Sequence, residues 1–320
     1  MQACSDLVLP LDLPEYTDLY TYFDVERKAL WCYLNSARPC STLALAEQVR
    51  DAQERVRAYL VSSPQARDSL HYLVIASANP RIFNLGGDLK LFMQLITDRN
   101  RDALSDYGRQ CVDVVYHNYT NLGVPTLTTI SLVQGTALGG GFEGALSSNV
   151  LIAEEGAELG FPEVLFNLFP GMGAYSLLSR RIEPWRAERL LRTARQYPAR
   201  ELWEMGIVDL VVPKGEGVHA VNDFIRRRRA SRIGHQAIHR VRQQVNPLTH
   251  KELMDVVDIW VDTALQLTDR DLRVMARIVE AQPRLTVVES ETETPRLPAT
   301  VQPLMATPAP RMAVGAMAAS

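Results

Sequence analysis

Two stretches of this chain share one plan: an apolar run, a glycine-rich turn, then a helix-like segment. The first is LVIASANPRIFNLGGDLKLF, beginning at Leu73, and the second is TLTTISLVQGTALGGGFEGAL, beginning at Thr126. Short runs of Val, Ile and Leu suit strands buried on both faces. Strands that alternate with helices imply a layered α/β fold with parallel pairing. Glycine lets the backbone approach another group closely and turn its N–H groups outward, and a helix starting there adds partial positive charge. Two such turns set face to face could give two N–H groups to one oxygen, the arrangement that stabilises a thioester enolate. Taken singly, such a turn is more often simple packing, and Asp88 reads as the N-cap of the helix that follows. Neither turn fits a nucleotide fingerprint, since GxxxxGK[ST] is absent and Gly139–Gly140–Gly141 does not make GxGxxG.

Around these segments the chain divides by periodicity. Residues 1–18 hold prolines and acids with few periodic apolar positions and read as a loose N-terminal arm. Residues 19–25 and 29–35 alternate and are rich in aromatics, which predicts two strands joined by a turn at Glu26–Lys28. Ser41 is the expected cap of a helix in TLALAEQVRDAQERVRAYL. A helix over about 101–121 and strands at 126–133 and 150–153 continue the alternation. From about residue 173 the pattern is helical over 184–194, 199–206, 216–229 and 249–280, with one short strand at 208–212. The expected organisation is an α/β core over 19–212 and a helical region over 213–282. Residues 283–320 hold six prolines and repeated Ala and Met, with no periodic core pattern, and read as a disordered tail.

Composition narrows the function class. At 320 residues, 47% hydrophobic and 22% charged, the chain matches an ordinary globular protein with a core of its own. A net charge of -3 gives no global field toward nucleic acid or membrane. Cys4, Cys32, Cys40 and Cys111 form no CxxC pair and have no His cluster beside them. This speaks against a metal site and fits free thiols in a reducing compartment. The N-terminus lacks the basic start and apolar stretch of a signal peptide, and no run approaches the roughly 18 apolar residues of a membrane span. A cytoplasmic location, away from membranes, is the expectation.

Two carboxylates stand out. Glu143 falls in the first turn of the helix after the triple glycine, and Glu163 lies in the unusually apolar LGFPEVLFNLFPGMG. A carboxylate among Leu159, Phe161, Val164 and Leu165 would be desolvated, and a second carboxylate nearby would add repulsion; both favour the protonated form. A pair with separated proton affinities suits acid/base chemistry at neutral pH. Spacing alone equally allows Glu143 to offset the helix dipole and Glu163 to be an exposed turn residue.

VQGTALGGGFEGAL followed by LGFPEVLFNLFPGMGAYSLL resembles the crotonase (enoyl-CoA hydratase/isomerase) signature, and the order of motifs extends the resemblance over residues 19–282. FNLGGDLKLF, ALGGGFEGALS, LIAEEGAELGFPEVLFNLFPGMGAYS, MGIVDLVVPKGEGV and IWVDTALQL resemble more closely the diffusible signal factor synthases, a branch making cis-2-unsaturated fatty-acid signals. Ordinary hydratases usually carry an AGAD turn and a PGAGGTQRL-like stretch, where this chain has LGGD at 85–88 and PGMGAYSLL at 170–178.

The resemblance implies a crotonase-like ββα spiral core with a C-terminal helical extension. It implies Gly87 and Gly140 as oxyanion amides and Glu143 and Glu163 as the acid/base pair, with Glu163 on C2 and Glu143 on the departing 3-hydroxyl. Leu85, Gly86, Leu138, Gly139, Met172, Gly173 and Trp260 would bind substrate, with Tyr175 and Leu177 as further walls; Met172, Tyr175, Leu177 and Trp260 are each more often ordinary core. The implied reaction dehydrates a 3-hydroxyacyl thioester and then hydrolyses it, with no cofactor beyond the acyl carrier protein or coenzyme A that carries the substrate. A homotrimer or pair of trimers is the implied assembly.

Two other readings stay open: a general enoyl-CoA hydratase of fatty-acid metabolism, and a catalytically idle acyl-binding regulator with a partner such as a sensor kinase. Finally, Arg226–Arg229 with Arg232, Arg240 and Arg242 forms a basic stretch. It is either a solvated helix face or a dock for an acidic carrier protein or thioester phosphates. No aromatic interleaving accompanies it, which argues against nucleic acid.

Overall fold

A computed structural model describes residues 11–286, with side chains to Gln282. The hairpin β1 (Leu19–Asp24) and β2 (Ala29–Leu34) leads to α1 (Leu43–Ser62) and α2 (Pro64–Ser69). Three strand–strand–helix units follow. The first is β3 (Tyr72–Ser77) and β4 (Ile82–Asn84), with α3 (Leu89–Thr97) and α4 (Arg101–Tyr119). The second is β5 (Thr128–Val133), β6 (Thr136–Leu138) and α5 (Gly140–Leu146), and the third is β7 (Val150–Glu154), β8 (Glu158–Gly160) and α6 (Ala174–Leu178). Next come α7 (Pro184–Arg192), β9 (Gln196–Pro198), α8 (Ala199–Glu204) and β10 (Leu210–Val212). Four helices close the described residues: α9 (Gly217–Arg228), α10 (Arg232–Val245), α11 (His250–Ala264) and α12 (Asp269–Thr286).

Each unit gives its first strand to one sheet and its second strand to another. The larger sheet has the order β1-β2-β3-β5-β7-β10, and the smaller β4-β6-β8-β9. From β2 to β10 the larger sheet is parallel, as are β4, β6 and β8; only β1 and β9 pair antiparallel. Successive units thus stack in step, the ββα spiral implied by the motifs.

The apolar runs are buried on both faces. Leu30, Cys32 and Leu73 pack toward α1, through Val56 and Leu60. Trp31, Val74, Ile130, Leu132 and Ile152 pack on the other side against Val221 and Ile225 of α9. Burying a side chain of this kind contributes roughly 1.5–3 kcal/mol. A third cluster joins α3, α4, α5 and α11 around Phe92, Tyr107, Phe142 and Trp260, and the glutamates lie in its territory.

Several expectations need correction. Residues 11–18 are not loose: Leu11 is buried, the Tyr16 hydroxyl donates to Asp51 at 2.7 Å, and the Asp18 amide donates to Gln48 at 2.8 Å. Thr42, not Ser41, caps α1, accepting from the Leu45 amide at 3.1 Å. The segment 249–280 is two helices, because Thr268 donates to Asp271 and starts α12 afresh. Helix α10 was missed, and α12 runs to Thr286, into the segment read as tail. The rest of that tail and residues 1–10 lie outside the described residues. Among the described residues, no helix is long and apolar enough to cross a membrane.

Candidate active site

The first glycine turn leaves β4 through Asn84, whose buried side chain accepts the Gly86 amide at 2.8 Å. Gly86 holds φ +95°, and a β-carbon there would lie 2.9 Å from the Leu138 carbonyl and 3.3 Å from the Gly140 nitrogen. The two turns are therefore in contact. From behind, the Ser41 amide donates to the Gly86 carbonyl at 2.7 Å, and the Tyr107 hydroxyl donates to the Ser41 carbonyl at 2.5 Å. The same hydroxyl accepts the Asp88 amide at 3.3 Å. Asp88 caps α3 as expected, and it also takes both ends of the Arg38 guanidinium, at 3.0 and 2.7 Å. Arg38, Ser41 and Tyr107 thus fix the turn from three sides.

The second turn ends at Gly139, with φ +49°, where the chain enters α5. Among the described residues the amides of Gly87 and Gly140 donate to no acceptor. They belong to adjoining turns, as an enolate oxygen would require, and the α5 N-terminus adds its partial positive charge.

Glu143 is 1% exposed. Its Oε1 accepts the Met172 and Ala174 amides, each at 2.9 Å. Burial still pushes this carboxyl up to about 7, against the pull of those N–H donors. Glu163 opens a short helical turn, Glu163–Phe166, and its Oε2 is buried with no hydrogen-bond partner. Burial, and then the charge of Glu143, push it up to about 8. The Phe142 and Phe161 rings stack at 4.9 Å, which locks α5 against the strand leading to Glu163. With both carboxyls desolvated and mutually repelling, the pair readily holds a single proton near neutral pH.

Glu143, Glu163, Gly87 and Gly140 all line one cavity of about 320 Å³. Leu85, Gly86, Leu138, Gly139, Met172 and Trp260 line it too. Gly173 does not. It sits behind Glu143 at the start of α6, and its amide points at that carboxylate. Tyr175 is 44% exposed and Leu177 belongs to the core; neither lines the cavity, because α6 turns both away from it.

Sequence reasoning missed much of the apolar wall. Leu45, Val49, Val114 and Val115 come from the facing sides of α1 and α4, where helical periodicity marks them only as buried. Ile278, Ala281 and Gln282 of α12 complete the wall beside the Glu163 turn. Phe92 lies between Tyr107 and Trp260, edge-on to each at 4.8 and 5.0 Å. Cys111 also lines the cavity, but burial pushes its thiol up to about 12, so it stays protonated.

Comparison with known proteins agrees with this geometry. The family model described as enoyl-CoA hydratase/isomerase matches residues 60–228, just over half of the chain. The chain is 24% identical over 266 residues to the Arabidopsis thaliana protein named "Probable enoyl-CoA hydratase 2, mitochondrial", covering 82% of this chain and 78% of that one. Among solved structures, human mitochondrial delta3-delta2-enoyl-CoA isomerase superposes with a TM-score of 0.67 at 17% identity, over 84% of this chain and 99% of the other. Pseudomonas aeruginosa DspI superposes with a TM-score of 0.63 at 21% identity, over 78% and 98%. These likenesses carry the fold, and the family model carries membership. The chain belongs to the enoyl-CoA hydratase/isomerase family and is a crotonase-superfamily enzyme.

Proposed function

We propose that this enzyme makes a free cis-2-unsaturated fatty acid of the diffusible signal factor type from a 3-hydroxyacyl thioester. The observation that carries the reading is the meeting of two desolvated carboxylates and two unpaired amides in one largely apolar cavity. The LGGD and PGMGAYSLL motifs support that branch over the general hydratases.

The thioester carbonyl oxygen accepts the Gly87 and Gly140 amides. Glu163 removes a proton from C2, giving an enolate held by those amides. Glu143 protonates the 3-hydroxyl, which leaves as water as the C2–C3 double bond forms. Glu143 is then charged and Glu163 protonated. In the second half Glu143 takes a proton from a water that attacks the carbonyl, and Glu163 protonates the departing thiol. Both groups return to their starting states and a free acid is released. The thiol belongs to acyl carrier protein or coenzyme A, and the working unit is a homotrimer or pair of trimers in the cytoplasm.

One observation favours a second reading, a general enoyl-CoA hydratase. The Met172 and Ala174 amides favour the charged form of Glu143, whereas Oε2 of Glu163 has no donor and meets the charge of Glu143, which favours the proton on Glu163. That is the hydration arrangement, with Glu143 as base on water and Glu163 as acid at C2. Dehydration draws on the same one-proton pair with the proton on Glu143.

Mass spectrometry of fatty acids released by bacteria expressing the chain separates the two. A free cis-2-enoic acid that disappears with Glu143→Ala and with Glu163→Ala supports the synthase. No such acid, together with hydration of crotonyl-CoA by the purified protein, establishes the hydratase instead.

A further inference from the structure

A second cavity, of about 610 Å³, opens at the amino ends of the parallel strands. Tyr72, Thr128, Val150 and Leu210, the first residues of β3, β5, β7 and β10, form one side, and α9 and α10 form the other. It shares no lining residue with the cavity that holds the glutamates. The basic stretch therefore leads to a separate place in the molecule.

Arg227, Arg228, Arg232 and Arg242 line this cleft, and its two acids are already engaged. Asp209 accepts the Leu151 amide at 2.7 Å and pairs with Arg181 at 3.2 Å. Asp223 pairs with Arg226 at 2.9 Å and with Arg227 at 4.0 Å. Among the described residues no carboxylate lies within ion-pair distance of Arg228, Arg232 or Arg242. Arg232 reaches only the Gln236 side chain at 3.4 Å, and Arg228 lies over the Phe224 ring and against His235. Burial, then the charge of Arg242, push His239 down to about 4, so it adds no charge of its own at neutral pH.

Two buried donors on the wall have no partner. Nε of Arg242 is one. The other is Nδ2 of Asn149, a residue 3% exposed. Its Oδ1 accepts the Thr129 amide at 3.0 Å, which fixes the amide so that its N–H group is the end left over. Buried donors without acceptors are costly, and guanidiniums without counter-charges repel one another. An anion with several oxygens relieves both, and the guanidinium fork fits phosphate oxygens in pairs.

We propose that this cleft is a binding site for a small phosphate-bearing anion, a diphosphate or a nucleotide, held by Arg228, Arg232, Arg242 and the Asn149 amide. The volume exceeds the needs of one phosphate, and Phe224 and Tyr72 give it an aromatic wall for a base.

Calorimetric titration of the full chain at low salt, with pyrophosphate in one arm and ADP in the other, tests this. The expected result is one saturable site per chain. Affinity falls at least tenfold in Arg232→Ala and in Arg242→Ala, and stays unchanged in Arg240→Ala, whose exposed side chain lies outside the cleft. Turnover at the glutamate site should be equal in all four proteins, which shows that each is folded. ADP binding tighter than pyrophosphate identifies a nucleotide as the source, and equal binding identifies a free polyphosphate. Three outcomes overturn the proposal: no saturable heat with either probe, affinity that survives both arginine changes, or an altered sedimentation mass in Arg232→Ala without any binding, which would make the cleft a contact between copies of the chain.

Discussion

A β-carbon at position 139 would sit 2.2 Å from Oε1 of Glu163, and the backbone there has φ +49°. Glycine is required twice over, for conformation and for room. Gly139→Ala should push the Glu163 carboxyl out of place and lower kcat by about 10²-fold, as misplacing a reacting group by an ångström does. Steady-state kinetics beside a circular dichroism spectrum of folded protein checks this. The two carboxyls also set the pH response. One must hold a proton while the other is free, so kcat/KM should be bell-shaped, with apparent limbs near 7 and 8 that belong to the pair. Below the lower limb both are neutral and no base remains; above the upper limb both are charged and no acid remains. Glu143→Gln and Glu163→Gln should each lower kcat by about 10²–10⁴-fold. These residues were legible in the sequence because glycines and an acid in an apolar run are local signals. The support for a charged Glu143 was not, because it comes from the Met172 and Ala174 amides, reached only through folding.

At the scale of elements, the glycine turn after β4 owes its position to parts far away in the chain. Arg38 and Asp88 are 50 residues apart, and Tyr107 and Ser41 are 66 apart. Tyr107→Phe removes the bonds to the Ser41 carbonyl and the Asp88 amide while keeping the Phe92 contact. It should destabilise the protein by about 1 kcal/mol. With the Gly87 amide in its proposed role at the transition state, kcat should fall while KM stays nearly constant. A KM increase with normal kcat would make Tyr107 a mere substrate-side wall. Such braces have no sequence signature, since neither partner repeats at a helical or strand period. The strands of the larger sheet were readable from their apolar runs. Those of the smaller sheet are only three residues each, too short to show alternation. Helix α10 escaped the reading although Ile233, Ile238, Val241 and Val245 recur at helical spacing, because its arginines read as a charge run; the fold leaves that apolar stripe exposed.

For the whole molecule, the buried carboxyl pair is a standing cost to stability. Both carboxyls have folded-state affinities for protons raised above the ordinary value of 4.5. Over the range from about 4.5 to 8 the native state therefore binds more protons than the unfolded chain, and stability falls as pH rises. Glu163→Gln removes the group that suffers most. It should raise Tm by a few degrees at pH 9 and by little or nothing at pH 4.5, as thermal unfolding followed at both pH values would show; a shift equal at the two would place its origin elsewhere. The order in which the chain is made adds a last consequence. All the polar machinery, from Gly86 to Ala174, has left the ribosome before α12 exists. The wall supplied by Ile278, Ala281 and Gln282 comes more than a hundred residues later. A growing chain thus carries its reactive groups in a trough open to water, without the last panel of its greasy seat. In the proposed reaction, a chain cut before α12 would keep every polar group of the site and lose the panel that keeps it dry.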